Sequence, residues 1–344
     1  MNKFVINSEN LLNNVSVIRS KIGTKTKICA MVKADAYGHD AKVVAKLLKN
    51  VVNYFGVANI QEAIELRNCG IRNNILVVGK VEDKDLELTS KYDIEFAVFD
   101  YDQILAMSKL SAYTFKIHIK VNTGMNRLGV DTLSEYKNML DKISKCSNIS
   151  QVGLFTHFGS VDSDKKYTDK QFNKFQKYIQ ITDKKVIKHC ANSSAIFSDS
   201  KYHLDMVRPG ICIYGYENDI MKHVLSIRSA VVDLHNVKKG EKVSYDDGYI
   251  VKKSQIIATI PLGYADGIPR SFMNKITITA RDKVFRGCGK VCMDMCIFGV
   301  DDSIKLFDEV LINFDAKEWA TILNTISYEI LTNISYKRMV VTII

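Results

Sequence analysis

Apolar and polar residues alternate along the first two thirds of the chain in a pattern typical of parallel β/α units. Short apolar runs that predict strands recur eight times: Ile28–Lys33, Tyr54–Ala58, Ile75–Val78, Glu95–Val98, Phe115–Val121, Val152–Thr156, Val186–Cys190 and Leu204–Val207. The amphipathic stretches between them predict helices: Ala41–Lys49, Ile60–Asn68, Leu133–Ser144 and Tyr167–Thr182 are examples. Eight such units favour a (β/α)₈ TIM barrel of the α/β class. A doubly wound open sheet is the rival, but no glycine-rich dinucleotide fingerprint follows the first strand.

Near residue 222 the pattern changes and becomes rich in predicted strands. These strands lie within the segments VLSIRSAVVDL, SQIIATIPL, KITITA, KVCMDMCIFGV and DEVLI. One helical stretch, Trp319–Leu331, interrupts them. We therefore expect two domains, a barrel over residues 1–222 and a mainly β domain over residues 223–344.

Composition narrows the class of protein without naming a function. The 344 residues are 47% hydrophobic and 25% charged, which is ordinary for a soluble globular protein. The formal net charge is +10, but the lysines are scattered, so a nucleic-acid or membrane partner is not favoured. We interpret the excess as a local means of drawing an anionic substrate and a phosphate into a pocket. The start, MNKFVINSEN, lacks a signal-peptide pattern, and we expect a cytoplasmic protein.

The eight cysteines are expected to be reduced thiols packed as small apolar side chains. Three of them fall in GCGKVCMDMC, at positions 288, 292 and 296. This spacing of four and four does not match the paired cysteines of zinc sites, so no metal site is expected. On a predicted strand the three cysteines would share one face.

Chemistry in a barrel sits at the carboxyl ends of the strands, and several reactive residues pass this test. Lys33 ends the first predicted strand, where desolvation would lower its pKa and free its amine for Schiff-base chemistry. The alternative is a lysine that only extends its stem out of a strand end. Other polar residues follow the fifth to eighth predicted strands, namely Arg127, His157, Asn192, Ser193 and Arg208. Ser193, with the backbone of Gly210 and Ile211, matches the usual phosphate site of such barrels.

The combination of these motifs resembles the alanine racemases. AMVKADAYGHD looks like that family's cofactor-lysine motif, and further matching segments follow in the family's order: KVNTGMNRLGV, THFGSVD, CANSSAI, RPGICIYG, VSYDDGY, PLGYADGIPR, GKVCMDM and YEILTNISYKR. The resemblance implies a pyridoxal-phosphate enzyme that interconverts L- and D-alanine, which bacteria use for cell-wall synthesis. It also implies a homodimer in which the partner's β domain completes each active site. The first residues, around FVI, are then expected to pack with the β domain.

The resemblance also implies individual roles. Lys33 would bind pyridoxal phosphate, and then act as a base on one face of the external aldimine. Tyr245 of the other subunit would act on the opposite face, with His157 polarising its phenol. Arg208 would donate to the pyridine nitrogen, which an always-protonated guanidinium can do without losing its proton.

The remaining roles concern the cofactor phosphate, the substrate and the entrance. The phosphate would be held by the side chains of Tyr37, Ser193 and Tyr336 and by the backbone of Gly210 and Ile211. Asn192 would be a further cofactor-binding residue. The substrate carboxylate would meet Arg127 and the backbone of Met293, beside Asp294. Three residues match the substrate entrance, namely Asp162, Tyr264 and Arg270. Lys120 matches a lysine that is carbamylated in some members of the family.

The chain departs from the family pattern at several of these places. Asn122 stands where an aspartate is usual, and Lys290 where the entrance often has an arginine. Asp246 and Asp247 follow Tyr245, where the family is usually glycine-rich. The tail after Tyr336 lacks the familiar Pro-Arg ending. These differences bear on entrance electrostatics and efficiency more than on the class of reaction.

Three alternative functions remain open on the sequence. A racemase for serine or other small amino acids would differ only around the substrate methyl group. A decarboxylase of the same architecture normally meets the pyridine nitrogen with an acidic residue, and Arg208 argues against it. A non-catalytic carrier of pyridoxal phosphate is usually a lone barrel, which the β domain and Tyr245 argue against.

Overall fold

The computed structural model describes all residues, Met1–Ile344. The first elements in chain order are β1 (Lys3–Ile6), α1 (Ser8–Ile22), β2 (Lys27–Met31), α2 (Lys33–Gly38), α3 (Ala41–Leu48), β3 (Tyr54–Val57), α4 (Ile60–Asn68), β4 (Asn74–Lys80), α5 (Leu86–Lys91), β5 (Glu95–Val98), α6 (Tyr101–Ser108), β6 (Phe115–Lys120), α7 (Leu133–Ser144), β7 (Ile149–Phe155), α8 (Lys165–Ile179), β8 (Ile187–His189), α9 (Ser193–Ser198) and β9 (Met206–Val207). They are followed by β10 (Leu225–Ala230), β11 (Asp233–Val237), β12 (Gln255–Ile260), β13 (Thr277–Ala280), β14 (Lys283–Arg286), β15 (Cys296–Val300), β16 (Glu309–Ile312), α10 (Ala316–Leu323), α11 (Ser327–Asn333) and β17 (Val340–Ile343). The chain divides into two compact units: Leu11–Lys222 forms one, and Met1–Asn10 with His223–Ile344 forms the other. No helix is long and apolar enough to span a lipid bilayer.

The unit Leu11–Lys222 is an eight-stranded parallel barrel. Its strands follow the order β8-β7-β6-β5-β4-β3-β2-β9, so each of the first seven lies beside its sequence neighbour. The Asp205 and Arg208 N–H groups donate to the Lys188 and Ala191 carbonyls at 3.0 and 2.9 Å, which links the β9 segment back to the β8 segment. The sheet is therefore nearly closed, and the predicted TIM-barrel class is confirmed.

Helix starts in the barrel are set by short polar side chains. The Asn59 side chain accepts from the Glu62 N–H at 2.9 Å and begins α4. Thr132 and Glu135 form a capping box that begins α7. The predicted bounds of these two helices agree with the structure. Helix α8 begins two residues earlier than predicted, because Asp164 caps its start by accepting from the Tyr167 N–H at 2.9 Å. It also ends three residues earlier than predicted.

The second unit contains two sheets. Six strands follow the order β14-β13-β16-β10-β1-β17, and three follow β11-β12-β15. Strand β1 pairs antiparallel with β10 and parallel with β17, so the start and the end of the chain lie in one sheet. Alternate residues of β10 are buried, which is typical of a strand with one face on a core.

Two predictions for this unit are wrong. The single helix expected over Trp319–Leu331 is two helices, α10 and α11, because Asn324 adopts a left-handed conformation that ends α10. The strand expected from residue 290 begins only at Cys296. Residues 290–295 are turned away from strand geometry, and Tyr264 and Ala265 donate to the carbonyls of Cys292 and Met293 at 3.0 Å. The three cysteines therefore do not share one face of a strand.

The barrel core can be tested at Phe96 on β5. Its side chain is fully buried, and its ring centroid lies 6.4 Å from that of Phe115 in an edge-to-face contact. We expect Phe96→Ala to lower the free energy of unfolding by about 3–5 kcal/mol, because it leaves a cavity in close-packed surroundings. The matched control is Phe307→Ala, a change at a side chain that is 73% exposed, for which we expect a change within about 0.5 kcal/mol. Thermal or denaturant unfolding of both variants measures the difference; equal losses would contradict this account of the core.

Candidate active site

The polar residues singled out from the sequence lie at the carboxyl ends of the barrel strands. Lys33 follows β2, Arg127 follows β6 and His157 follows β7. Asn192 and Ser193 follow β8, and Arg208 follows β9 directly. One detail of the prediction is wrong: β2 ends at Met31, so Lys33 lies two residues beyond the strand. The barrel therefore gathers these side chains at one opening.

Directly after Lys33 the backbone makes a left-handed helical turn. Ala34, Asp35, Ala36 and Tyr37 have φ between 50 and 55° and ψ between 39 and 52°. Left-handed helix costs about 1–2 kcal/mol per residue for non-glycine residues, so the surroundings must hold this turn in place.

Side chains before and after the turn form hydrogen bonds with its backbone, one as an acceptor and one as a donor. The Glu62 carboxylate accepts from the Ala34 N–H at 2.8 Å and from the Ala58 N–H at 2.6 Å. Beyond the turn, the Nδ1 of buried His39 lies 3.0 Å from the Tyr37 carbonyl, and its ring stacks on Tyr214 at 4.5 Å. Burial lowers the pKa of His39 to about 4, so the ring is neutral. These contacts hold the backbone that follows Lys33 in one conformation.

The Lys33 amine lies in a positively charged and partly desolvated setting. Burial lowers the pKa of Lys33, and the charges of Arg127 and Arg208 lower it further. Glu62 is the carboxylate whose charge opposes this shift. A larger share of the amine is therefore neutral near pH 7 than in an exposed lysine, and a neutral amine is the form that attacks a carbonyl.

Arg208 is buried and makes no ion pair with a carboxylate. One terminal nitrogen lies 2.7 Å from Nδ1 of His189, and the other donates to the Thr156 carbonyl at 2.7 Å. Weaker contacts of that second nitrogen reach the Cys190 carbonyl at 3.3 Å and Nδ1 of His157 at 3.4 Å. All four contacts use the terminal nitrogens, so Nε remains available to donate to a ligand.

His157 is held in its neutral form. Burial lowers its pKa well below the ordinary value, and Arg208, Arg127 and two lysines lower it further. Because a guanidinium can only donate, Nδ1 of His157 is the acceptor in its contact with Arg208. The ring proton then sits on Nε2, which becomes a donor from an uncharged ring.

Lys120 ends β6 and is also buried. Its Nζ lies over the rings of Phe99 and Phe155, at 5.8 and 5.9 Å from their centroids. Burial lowers the pKa of Lys120 to about 8, with further lowering by Arg127, Arg208 and Lys33. The charges that act on this amine are therefore all positive.

Three of the predicted phosphate residues, Tyr37, Ser193 and Gly210, lie together. Ser193 Oγ accepts from the Gly210 N–H at 2.9 Å and from the Cys212 N–H at 3.5 Å. A side chain at Gly210 would begin 2.5 Å from the Tyr37 hydroxyl, so a glycine is required where this hydroxyl approaches the backbone. Burial raises the pKa of Tyr37, which keeps the hydroxyl protonated. Two hydroxyls and the Gly210 N–H therefore lie together where the phosphate is predicted, and in this structure that N–H is bonded to Ser193.

Two other predicted residues of the barrel make contacts within the protein. The Asn192 side chain caps α9 by accepting from the Ala195 N–H at 3.1 Å, so it serves local structure. Asp162 accepts from the Ser194 hydroxyl at 2.7 Å beside the same helix.

The remaining predicted residues lie in the second unit, on loops that touch one another. Tyr245 is 63% exposed and flanked by Ser244, whose hydroxyl donates to the Lys290 carbonyl at 2.8 Å. The loop that carries Tyr264 packs backbone to backbone on the loop that carries Met293 and Asp294. A side chain at Gly263 would begin 2.3 Å from the carbonyl oxygens of Cys292 and Met293, which explains the glycine.

The C-terminal segment is attached to the same loops by two residues that sequence reasoning missed. The Asp266 carboxylate is fully buried and accepts from the Gly263 N–H at 2.9 Å. Arg338 Nε lies 3.5 Å from the other Asp266 oxygen, and a terminal nitrogen donates to Asp294 at 2.6 Å. Tyr336, two residues earlier, packs its ring on Phe4 at 5.2 Å. The two basic residues Lys337 and Arg338 after NISY were the signal available in the sequence.

Ion pairs are formed by three of the residues that depart from the family pattern, namely Lys290, Asp246 and Asp247. Lys290 donates to Asp246 at 2.5 Å, and this contact lowers the pKa of the Asp246 carboxyl. The charge of Arg270 lowers the same pKa further. Asp247 pairs with Lys242 at 2.6 Å. The acidic residues after Tyr245 are thus partly neutralised by neighbouring lysines.

Asn122 braces the loop that carries Arg127. Its amide nitrogen donates to Asp131 at 2.7 Å, and its oxygen accepts from the Gly124 and Asn126 N–H groups at 3.1 and 3.0 Å. An aspartate here would lack the donor and would face Asp131 with a like charge.

Comparison with known proteins gives consistent results for both units. The family models for the N-terminal and C-terminal domains of alanine racemase match residues 6–218 and 224–342. The alanine racemase of Clostridium tetani is 38% identical, with 96% of this chain and 92% of the relative aligned. A solved structure of the Clostridium difficile alanine racemase superimposes with a TM-score of 0.92 at 34% identity, covering 99% of this chain and 95% of that one. The Bacillus anthracis enzyme, solved with bound L-Ala-P, gives a TM-score of 0.91 at 30% identity, covering 99% and 94%.

The setting of Lys120 predicts that it binds carbon dioxide as a carbamate. With a pKa of about 8, roughly half of the amine is neutral at pH 8 and able to attack carbon dioxide and release a proton. The product replaces a cation by an anion among Arg127, Arg208 and Lys33, which relieves repulsion. Carbon-13 NMR with labelled bicarbonate should show a carbamate signal that Lys120→Ala removes. Lys188→Ala is the control, since Lys188 is a buried lysine that donates to two backbone carbonyls, and it should keep the signal. A spectrum without the signal would contradict the prediction.

Proposed function

Because the chain belongs to the alanine racemase family, we propose that it interconverts L-alanine and D-alanine with pyridoxal 5′-phosphate as its cofactor. The observation that carries the proposal is the environment of Lys33, a partly desolvated amine whose pKa is lowered by burial and by two arginines. A lysine so placed is suited to form a covalent bond with an aldehyde. The family membership supplies the identity of that aldehyde.

The residues at the barrel mouth fit this cofactor in charge and in donor type. Ser193, Tyr37 and the backbone of Gly210 and Ile211 would hold its phosphate, and Tyr336 is a further candidate. Arg208 would donate to the pyridine nitrogen through Nε, which its contacts to protein groups leave available. A buried guanidinium at this place keeps its own proton, so the ring nitrogen stays largely unprotonated.

Racemisation requires that the α-proton leaves one face of the substrate and that a proton returns on the other face. The bound cofactor supplies an electron-withdrawing ring that takes up the electron pair left by the α-proton. Lys33 is proposed to remove or return the proton on its face, for which an amine with a lowered pKa is suited.

Tyr245 of the partner subunit is proposed to serve the opposite face. Its phenol is exposed on the second unit, and the Ser244 contact holds the segment that presents it. A free phenol titrates near pH 10 and needs help to act as a base near neutrality. The Nε2–H of neutral His157 is the proposed help, because a donor to the phenol oxygen stabilises its ionised form.

The substrate carboxylate is proposed to meet Arg127 and the backbone of Met293, beside Asp294. Entry past Asp162, Tyr264 and Arg270 would favour small zwitterions. A serine-accepting racemase remains the alternative substrate assignment, and assays with L-serine beside L-alanine separate the two by their kcat/KM values.

The covalent role of Lys33 can be tested by reduction. Treatment of the cofactor-loaded protein with borohydride should fix the cofactor to the peptide that contains Lys33, which mass spectrometry of a digest identifies. Lys33→Ala should remove the modification, whereas Lys188→Ala, which alters a buried lysine elsewhere in the barrel, should leave it in place. A modified peptide from any other lysine would overturn the assignment.

The shared site can be tested by mixing two inactive variants. Lys33→Ala and Tyr245→Phe should each lose activity, the latter by about 10²- to 10⁴-fold, as expected for a proton-transfer group. When the two proteins are unfolded and refolded together, one site of each mixed dimer regains both residues. Random pairing should then restore about a quarter of the wild-type activity if Tyr245 acts in the partner's site. Absence of any recovery, with mixed dimers verified by mass, would show that Tyr245 does not act across subunits.

A further inference from the structure

A chain of buried polar side chains leads away from Arg208 through the barrel. Nδ1 of His189 lies 2.7 Å from a terminal nitrogen of Arg208. Nε2 of His189 lies 2.9 Å from Nδ1 of His118, and Nε2 of His118 lies 2.8 Å from a carboxylate oxygen of Glu95. All four side chains are buried, on or next to strands β5, β6, β8 and β9. We call the set Glu95, His118, His189 and Arg208 the relay.

The positions of the protons in the relay follow from Arg208, which can only donate hydrogen bonds. A guanidinium can only donate, so Nδ1 of His189 carries no proton in its contact with Arg208. The ring proton of His189 therefore sits on Nε2 and is donated to Nδ1 of His118. His118 in turn carries its proton on Nε2 and donates it to Glu95. One arrangement satisfies every contact: two neutral histidines with protonated Nε2 atoms, and an acceptor carboxylate at the far end.

Packing prevents either ring from taking another orientation. A side chain at Gly153 would begin 1.9 Å from Nδ1 of His118, so the glycine makes room for this ring. Tyr54 closes another side of His118 with an edge contact at 6.3 Å. The His189 ring stacks on Phe155 at 4.9 Å with an angle of 3° between the planes.

The relay connects the buried charge of Arg208 to a carboxylate. A buried charge needs a compensating partner, and the other contacts of Arg208 are carbonyls and a histidine. Glu95 is the carboxylate at the end of the chain of contacts, and Tyr54 also lies within its reach. Burial lowers the pKa of His189 well below its ordinary value, and Arg208 adds to this, so the ring does not take a second proton.

We propose that Glu95 and His118 are positioning residues that act through His189 to orient Arg208 and to balance its charge. The contact order makes the relay directional. A proton on Nδ1 of His189 would face the Arg208 donor, and a proton on Nδ1 of His118 would face the Nε2 proton of His189. The catalytic consequence of this inference rests on the proposed function, whereas the proton positions do not.

The proton positions can be measured in the cofactor-free protein. Nitrogen-15 NMR of histidine-labelled protein distinguishes Nε2–H, Nδ1–H and doubly protonated rings, and single substitutions assign the signals among the seven histidines. We expect neutral Nε2–H forms for both His118 and His189, and no second proton on His189 across the pH range in which exposed histidines titrate. An Nδ1–H form or a doubly protonated ring at either position would overturn the proposal.

Two substitutions of Glu95 separate charge from hydrogen bonding. Glu95→Gln keeps an oxygen that accepts from His118 and should preserve both Nε2–H signals, while kcat falls about 10- to 100-fold, as for outer partners of other buried sites. Glu95→Leu removes the acceptor and should disturb the His118 signal as well. If Glu95→Leu does not fold, Glu95→Gln and the wild-type spectrum still decide. Wild-type kcat in Glu95→Gln would show that the charge has no role and would overturn that part of the proposal.

The matched control is His203→Gln, which removes another buried histidine of the barrel whose Nε2 lies 2.9 Å from the Ile196 carbonyl. We expect this variant to leave the His118 and His189 signals and kcat unchanged even where it lowers the unfolding temperature. A kcat loss equal to that of Glu95→Gln would mean that general stability, not the relay, explains the effect. The expected proton positions without racemisation by the wild-type protein would refute the proposed function alone. Active wild-type protein with other proton positions would refute the relay alone.

Discussion

Mutual repulsion among cations at the barrel mouth is the constraint on which the chemistry of this protein depends. Lys33, Lys120, Arg127 and Arg208 act on one another, and Glu62 is the carboxylate that moderates the pKa of Lys33. Burial removes the water that would otherwise screen these charges. Such a site is unfavourable without a ligand and becomes favourable when anions enter it. Under the proposed function, a phosphate, a substrate carboxylate and a carbamate on Lys120 would each reduce the same repulsion.

The backbone after Lys33 is strained, which adds a second energetic cost at this site. Four consecutive non-glycine residues in left-handed conformation are held by Glu62 and by the contacts of His39. Glu62 therefore does two things. Its carboxylate accepts N–H groups that follow the ends of the neighbouring strands β2 and β3, and its charge limits how far the pKa of Lys33 falls. Strain of this kind persists where the surrounding structure over-determines it, and such places are commonly functional.

The barrel was predictable from the sequence because its strands are apolar on both faces and its helices are amphipathic. The strand-end rule also predicted that Lys33, His157 and Arg208 lie at the carboxyl ends of the barrel strands. The left-handed turn was not predictable, since Ala34 to Tyr37 contain no glycine to signal it. The relay was missed for another reason: Glu95, His118 and His189 lie inside apolar strands, and only the strand order brings them into contact. In the second unit, Asn324 offered a signal for the helix break, because asparagine tolerates the left-handed conformation.

The different chemical roles of arginine and lysine at the barrel mouth follow from the same repulsion. When several cations share a desolvated cavity, the total charge falls by loss of the most easily lost protons, and these belong to the lysines. Arg208 remains charged, and burial together with its charge lowers the pKa of its neutral neighbours His157 and His189. The arginines therefore act as fixed donors and set the proton positions on the histidines, whereas Lys33 and Lys120 are the amines with lowered pKa values that we propose as reactive. Replacing Arg208 by a lysine would transfer the proton loss to that position, and the fixed donor that orders the whole site would disappear.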